Sequence, residues 1–167
     1  MGLASLFSGN ALAEVDEDGG LRLPPFVLRT LARRSEARRV LFSPHEADPC
    51  MTGYDEGHEA WLFAEAERRR LYEETLGLAA SAHHARLRRT FGSVGAAEID
   101  PDGRVVLPAM MRVRAGIDRV ALVIGAGAAF EVWNPETARD AGDPELRQLA
   151  AFALAARTRP QQEEQAI

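Results

Sequence analysis

The chain has 167 residues, enough for one ordinary domain or two very small ones. Its single cysteine excludes an internal disulfide and is typical of a reducing compartment, and no segment approaches the ~20 consecutive apolar residues that span a bilayer. The net charge of −5 does not favour a nucleic-acid partner for the chain as a whole, although all 20 basic residues are arginine.

An internal repeat is the most informative feature of the sequence. Residues 13–24 read AEVDEDGGLRLP, and residues 97–108 return the pattern without a gap as AEIDPDGRVVLP. Each copy predicts a strand with an acidic end, an Asp-Gly hairpin turn, a second strand and a proline that opens a short helix. Because the repeat occurs only twice, it predicts a pair of modules rather than a solenoid.

The remaining elements follow from periodicity and from turn residues. In chain order they are a helix over 25–32, strands over 39–42 and 50–54, two helices within 56–91 that break near Gly77, a helix over 109–115 closed by Gly116, strands over 120–124 and 130–133, and a helix that begins after Asp143. The Gly125-Ala126-Gly127 segment predicts a hairpin loop rather than a phosphate loop, because no further glycine and no helix follow it. The polar tail over 161–167 is expected to fray.

The two Asp-Gly turns differ in one side chain. Asp16 and Asp100 are each expected to close their own turn by accepting backbone N–H bonds, with Gly103 in the second turn. We expect Arg104 to pair with Asp100 across its hairpin, whereas Gly20 at the matching position leaves Asp16 without such a partner. Arg22 shares a strand face with Gly20, since residues i and i+2 point the same way.

The repeat, together with the Phe130-Glu131-Val132-Trp133 strand and the Pro49-Cys50 pair, resembles MraZ, a family of bacterial transcriptional regulators built from two SpoVT-AbrB-like domains. The resemblance runs from about Phe7 to near Arg157. It implies a β-rich α+β fold of two pseudo-symmetric, double-split β-α-β modules joined by linking helices. Their expected bounds are 8–57 and 94–138 for the modules, 58–91 for the linking helices and 139–167 for the C-terminal helix and tail.

The resemblance further implies a cytoplasmic, nucleoid-associated regulator without a cofactor. It implies a ring-shaped homo-oligomer that binds promoter DNA, with direct repeats as the expected site, in the division and cell-wall gene cluster. The first half departs from the family pattern, because Ser8 and Gly20 stand where the family usually has arginine. Arg22 is the visible replacement for the missing first-turn arginine. The predicted DNA-binding residues are Gly19, Gly20, Arg22, Arg29, Arg33 and Arg34.

Other functions remain open on the sequence. The arginines after the first turn also fit a solvated helix face, and the alternative function is a ring-forming scaffold of the same fold with weakened or lost DNA binding. An enzyme lacks a convergent polar site, and no membrane or small-molecule partner is expected. His45, Asp48, Cys50 and His58 match no familiar zinc spacing, so no metal site is predicted. Trp61 and Trp133 are expected to be core or interface anchors.

Overall fold

A computed structural model describes the backbone of residues 5–165 and the side chains of residues 5–158. Its strands are β1 (Asn10–Glu14), β2 (Gly20–Arg22), β3 (Arg39–Pro44), β4 (Met51–Tyr54), β5 (Gly95–Glu98), β6 (Arg104–Val106), β7 (Val120–Gly125) and β8 (Phe130–Trp133). Its helices are α1 (Pro25–Arg34), α2 (Gly57–Thr75), α3 (Ser81–Leu87), α4 (Ala109–Arg114), α5 (Pro135–Arg139) and α6 (Pro144–Gln165), with a π-helical turn over Arg88–Gly92. The predicted elements are therefore present.

The strands form one large antiparallel sheet and one small ribbon. The six-stranded sheet has the order β1-β7-β8-β4-β3-β5, and the ribbon contains β2 and β6. The loop over 126–129 joins the paired strands β7 and β8, so Gly125-Ala126-Gly127 belongs to a hairpin connection, as predicted. The fold is α+β and rich in β-structure, as the sequence predicts.

The Asp-Gly turns are present, but the strands on either side of each turn do not pair as an extended hairpin. Apart from one bridge between Val15 and Leu21, β1 pairs with β7, while β2 pairs with β6. In the second half of the chain, β5 likewise does not pair with the strand that follows its turn, β6, but with β3 of the first half. The hairpin prediction was wrong here because each turn directs its second strand out of the large sheet, where its partner is the equivalent strand of the other half.

The main core lies between the ribbon and one face of the sheet. Leu21, Leu23, Val105 and Leu107 point inward from the ribbon and its ends, and α1 and α4 close the sides. The other sheet face packs against α5 and α6 through a smaller cluster around Trp133, which is fully buried as predicted. The two halves of the chain thus share one core.

The helices agree with the sequence except at the C-terminus. Gly77 separates α2 from α3 with a φ of 71°, and Asp143 Oδ1 accepts a hydrogen bond from the backbone N–H of Glu145 at the start of α6. Helix α6 continues through Pro160 to Gln165, past the end expected near Arg157, so the backbone is helical over the part of the predicted tail that the structure describes. Within residues 5–165, no helix is both long and apolar enough to cross a membrane.

Candidate nucleic-acid interface

The outer face of the β2–β6 ribbon is the candidate interface. Gly20 stands opposite Val106 in the ladder, Leu21 opposite Val105, and Arg22 opposite Arg104. The pair Leu21 and Val105 points into the core, so Gly20, Val106 and the two arginines lie on the outer face. Two guanidinium groups therefore come from directly opposed positions of a two-stranded ribbon.

The two aspartates fix the turns that precede the ribbon strands. Asp16 Oδ1 accepts hydrogen bonds from the backbone N–H groups of Asp18 and Gly20, both at 3.0 Å. Asp100 Oδ1 accepts equivalent bonds from Asp102 and Arg104, both at 2.9 Å. Gly19 and Gly103 have φ values of 83° and 80°, which glycine adopts without a steric penalty. Each aspartate thus accepts two backbone N–H bonds within its own turn.

Arg104 does not pair with the aspartate that the sequence suggested. Its Nε donates to Asp16 Oδ2 at 2.8 Å and its Nη2 lies 2.7 Å from the same oxygen, whereas Asp100 receives only its backbone N–H. The structure therefore corrects two expectations: Arg104 does not pair with Asp100, and Asp16 is not without a partner. Pairing of β2 with β6 brings Arg104 beside the turn of the other half.

Gly20 makes this ion pair possible. A Cβ atom on Gly20 would overlap the guanidinium of Arg104, which lies across this residue to reach Asp16. The hydrogen bond from Arg104 lowers the pKa of Asp16, and the same hydrogen bond raises the pKa of Arg104. The missing side chain at position 20 thus provides space for an arginine from the other half of the chain.

Arg22 is the exposed cation of this surface, and among the described residues it has no carboxylate partner. It lines a shallow groove of about 320 Å³ that also contains Glu14, Asp16 and Asp102. Two of these acids are already paired, since Arg104 binds Asp16 and Arg157 Nη2 donates to Glu14 Oε1 at 3.0 Å. Among the described residues, these pairings leave Arg22 and Asp102 as the charged side chains of the groove without an ionic partner.

The predicted α1 arginines divide into two groups. Arg29 and Arg33 are exposed and lie one turn apart on the helix. Arg34 is buried instead: its Nε lies 3.0 Å from Asp55 Oδ1, and each side chain is 5% exposed. Its Nη1 also donates to the carbonyl of Ala128 at 2.7 Å. Arg34 therefore cannot contact DNA in this fold, because the end of β4 places the Asp55 carboxylate beside the end of α1.

Each turn is covered by a helix of the opposite half. The guanidinium of Arg112, from α4, lies 3.0 Å from the position that a Cβ atom would take on Gly19. Leu28, from α1, comes within 2.8 Å of the corresponding position on Gly103. Gly19 and Gly20 thus lie beneath arginines and do not form a free surface. Sequence analysis missed Arg112, although the repeat itself aligns it with Leu28.

The predicted polar group around Cys50 comes together only in part. His45, Cys50 and Glu131 have ligand atoms within 4.8 Å of one another, whereas His58 lies elsewhere and stacks on Trp61 at 5.0 Å. Trp61 is 52% exposed, so it is not a core residue. Glu131 entered the cluster from β8, and no sequence spacing indicated it.

The hydrogen bonds of this cluster do not fit a metal ion well. His45 Nδ1 accepts from the backbone N–H groups of Ala47 and Asp48, at 3.1 and 3.0 Å, so its proton resides on Nε2. Nε2 faces Glu131 Oε2 at 3.4 Å, a contact that raises the pKa of His45 and lowers that of Glu131. In this tautomer neither ring nitrogen has a lone pair free to bind a metal ion. Burial also raises the pKa of the Cys50 thiol.

Comparison with known proteins agrees with the motif resemblance. A family model described as "MraZ protein, putative antitoxin-like" matches residues 91–140. The transcriptional regulator MraZ of Stenotrophomonas maltophilia R551-3 is 31% identical over 137 residues, covering 80% of this chain and 86% of the relative. The chain belongs to the MraZ family.

Further MraZ proteins show similar relationships. The MraZ of Xanthomonas campestris pv. campestris 8004 is 30% identical over 137 residues, with the same two coverages of 80% and 86%. The MraZ of Saccharophagus degradans is 28% identical over 131 residues, covering 78% of this chain and 84% of the relative. These relatives are named as transcriptional regulators and not as enzymes. A regulatory role is therefore the function that this membership supports.

Proposed function

We propose that this MraZ family member is a sequence-specific DNA-binding transcriptional regulator. It acts in the cytoplasm at the nucleoid as a ring-shaped homo-oligomer, on direct repeats in the promoter of the division and cell-wall gene cluster. Arg22 is the observation that supports DNA binding most directly. It is exposed on a two-stranded ribbon, and the nearby acids Glu14 and Asp16 are held by other arginines.

The proposed DNA surface consists of Arg22 with the exposed α1 arginines, Arg29 and Arg33, and excludes Arg34. Arg104 supports this surface by holding the Asp16 turn. Guanidinium groups suit phosphate oxygens and guanine edges because their donors form a planar fork. A ring would present Arg22 several times, so that weak single contacts add up through avidity.

We also propose that the chain consists of two pseudo-symmetric modules, over 8–57 and 94–138. The strands that precede the Asp-Gly turns, β1 and β5, lie at opposite edges of the sheet, and those that follow them pair with each other. Modules of this size bury little surface alone. This arrangement supports a shared core and, through the edge strands, contacts between copies.

The second candidate is a ring-forming scaffold of the same fold without useful DNA affinity. It is favoured by the exposed acids Glu17, Asp18 and Asp102, which lie on the two turns beside Arg22. The net charge of −5 acts in the same direction. The first candidate requires that the positive charge of Arg22 outweigh these acids at the ribbon surface, and the second requires that the acids outweigh it.

A salt-titrated binding assay on the protein's own upstream DNA tests the proposal. Arg22→Ala should weaken binding and reduce the log–log salt slope by about 0.9 for each phosphate that the variant no longer neutralises. Arg104→Ala should lower the thermal stability, because it releases the Asp16 turn. Arg139→Ala is the matched control, since Arg139 lies on α5 at the opposite face of the sheet and pairs with Glu136.

Three outcomes contradict parts of the proposal. An unchanged affinity and slope in Arg22→Ala would remove Arg22 from the interface. Abolished binding with full stability in Arg104→Ala would show that Arg104, not Arg22, binds the DNA. Undetectable binding by the wild type at low salt would favour the scaffold.

A further inference from the structure

An apolar groove lies along α2 on a part of the molecule that the DNA surface does not use. Its volume is about 570 Å³, and Trp61, Leu62 and Tyr72 provide the apolar lining. Trp61 is 52% exposed and Tyr72 is 65% exposed, so both aromatic rings are open to solvent in the single chain. Exposed aromatic residues in a groove are typical of a surface that another molecule covers.

The rim of the groove is basic. It contains Arg68, Arg69, Arg86 and Arg89, against the acidic residues Glu46 and Glu65. Arg86 Nη2 donates to Glu73 Oε2 at 2.7 Å, which joins α3 to α2 and fixes the shape of this side of the groove. Arg68, Arg69 and Arg86 are paired with Glu65, Glu46 and Glu73, so Arg89 is the lining arginine that has no carboxylate partner among the described residues. The groove therefore favours an apolar side chain that is accompanied by an acidic group.

The chain itself presents such a surface on α6. Phe152 is 77% exposed, and it shares the outward stripe of the helix with Glu145, Gln148 and Ala155, at spacings of seven, four and three residues. The opposite stripe, which includes Ala150, packs against the smaller core. Phe152 is thus turned away from its own fold, two helical turns beyond the acidic start of α6.

We propose that Phe152 and the acidic start of α6 in one copy occupy the Trp61–Tyr72 groove of the next copy. The inference rests on the proposed homo-oligomer and adds its contact surfaces. Groove and helix are different parts of the chain, so the contact is head-to-tail, and repetition of one such contact closes a ring when the rotation permits. The interface uses an aromatic residue in an arginine-rimmed groove, with Glu145 facing the rim.

A complementation experiment tests this contact. Tyr72→Glu disables the groove and Phe152→Glu disables the helix, while each variant keeps the other surface intact. The assembly should weaken by about 30-fold or more in each variant, the loss expected for an aromatic hot-spot residue. Val113→Glu on α4 is the matched control, because Val113 is also 77% exposed. Light scattering measures the mass, and circular dichroism verifies that each variant is folded.

The mixture of the two variants gives the decisive result. Tyr72→Glu still offers Phe152, and Phe152→Glu still offers the groove, so an equimolar mixture should form a 1:1 complex of twice 18.2 kDa and nothing larger. Failure of the mixture to associate, wild-type masses in both variants, or dissociation by Val113→Glu alone would overturn the head-to-tail contact. A monomeric wild type would instead contradict the oligomer itself, and DNA binding is measured separately.

Discussion

The buried Arg34–Asp55 pair offers the sharpest test of the fold. Arg34→Met removes the charge but keeps an apolar stem against Phe7, whose ring centre lies 5.1 Å from the guanidinium carbon. The variant leaves the Asp55 carboxylate buried without its cation and the Ala128 carbonyl without its donor. Removing one partner of a buried pair costs about 3–5 kcal/mol of unfolding free energy.

For a chain of this length, about 1 kcal/mol corresponds to roughly 2–4 °C in Tm. Arg34→Met should therefore lower the Tm by about 6–20 °C in a thermal melt at fixed protein concentration. Arg34→Met combined with Asp55→Asn should lose less than the single variant, because no uncompensated charge remains. The control is Arg29→Met, an exposed change on the same helix that should stay within about 0.5 kcal/mol of wild type. A Tm decrease of only about 1–2 °C in Arg34→Met would refute the reasoning.

Three further perturbations act on single contacts. Arg104 lowers the pKa of Asp16 below its usual 3.8, so the Asp16 carboxylate stabilises the fold above that pH and ceases to do so on acidification. The free energies of unfolding of Asp16→Asn and wild type should therefore converge as the pH falls below about 3.8. Glu131 raises the pKa of His45 above 6.5, so the extra stability of wild type over His45→Gln should be full below pH 6.5 and decline as the pH rises through the raised pKa. A difference in urea midpoints that does not change with pH would exclude this contact. Gly103→Ala should cost roughly 1–2 kcal/mol, because φ is 80° and Leu28 lies 2.8 Å from the new Cβ, and a gain in Tm would contradict this.

Local chemistry determined much of this protein from its sequence. The two Asp-Gly turns, the helix openings at Pro25 and Pro108, and the break at Gly77 depend on residues a few positions apart. These preferences act within one turn of chain, and the structure has them where the sequence places them. Family membership also followed from the repeat, since its pattern lies in contiguous residues.

Tertiary structure alone decided the partners of those elements. The sequence around one turn does not show which distant strand will pair with it. It therefore predicts Asp100 as the partner of Arg104, whereas the pairing of β2 with β6 brings Arg104 to Asp16. Burial of Arg34 likewise depends on Asp55, which lies at the end of a distant strand. Ion pairs and exposure are set by distances across the fold. The ribbon face on which Arg22 lies is therefore defined only by the pairing of β2 with β6.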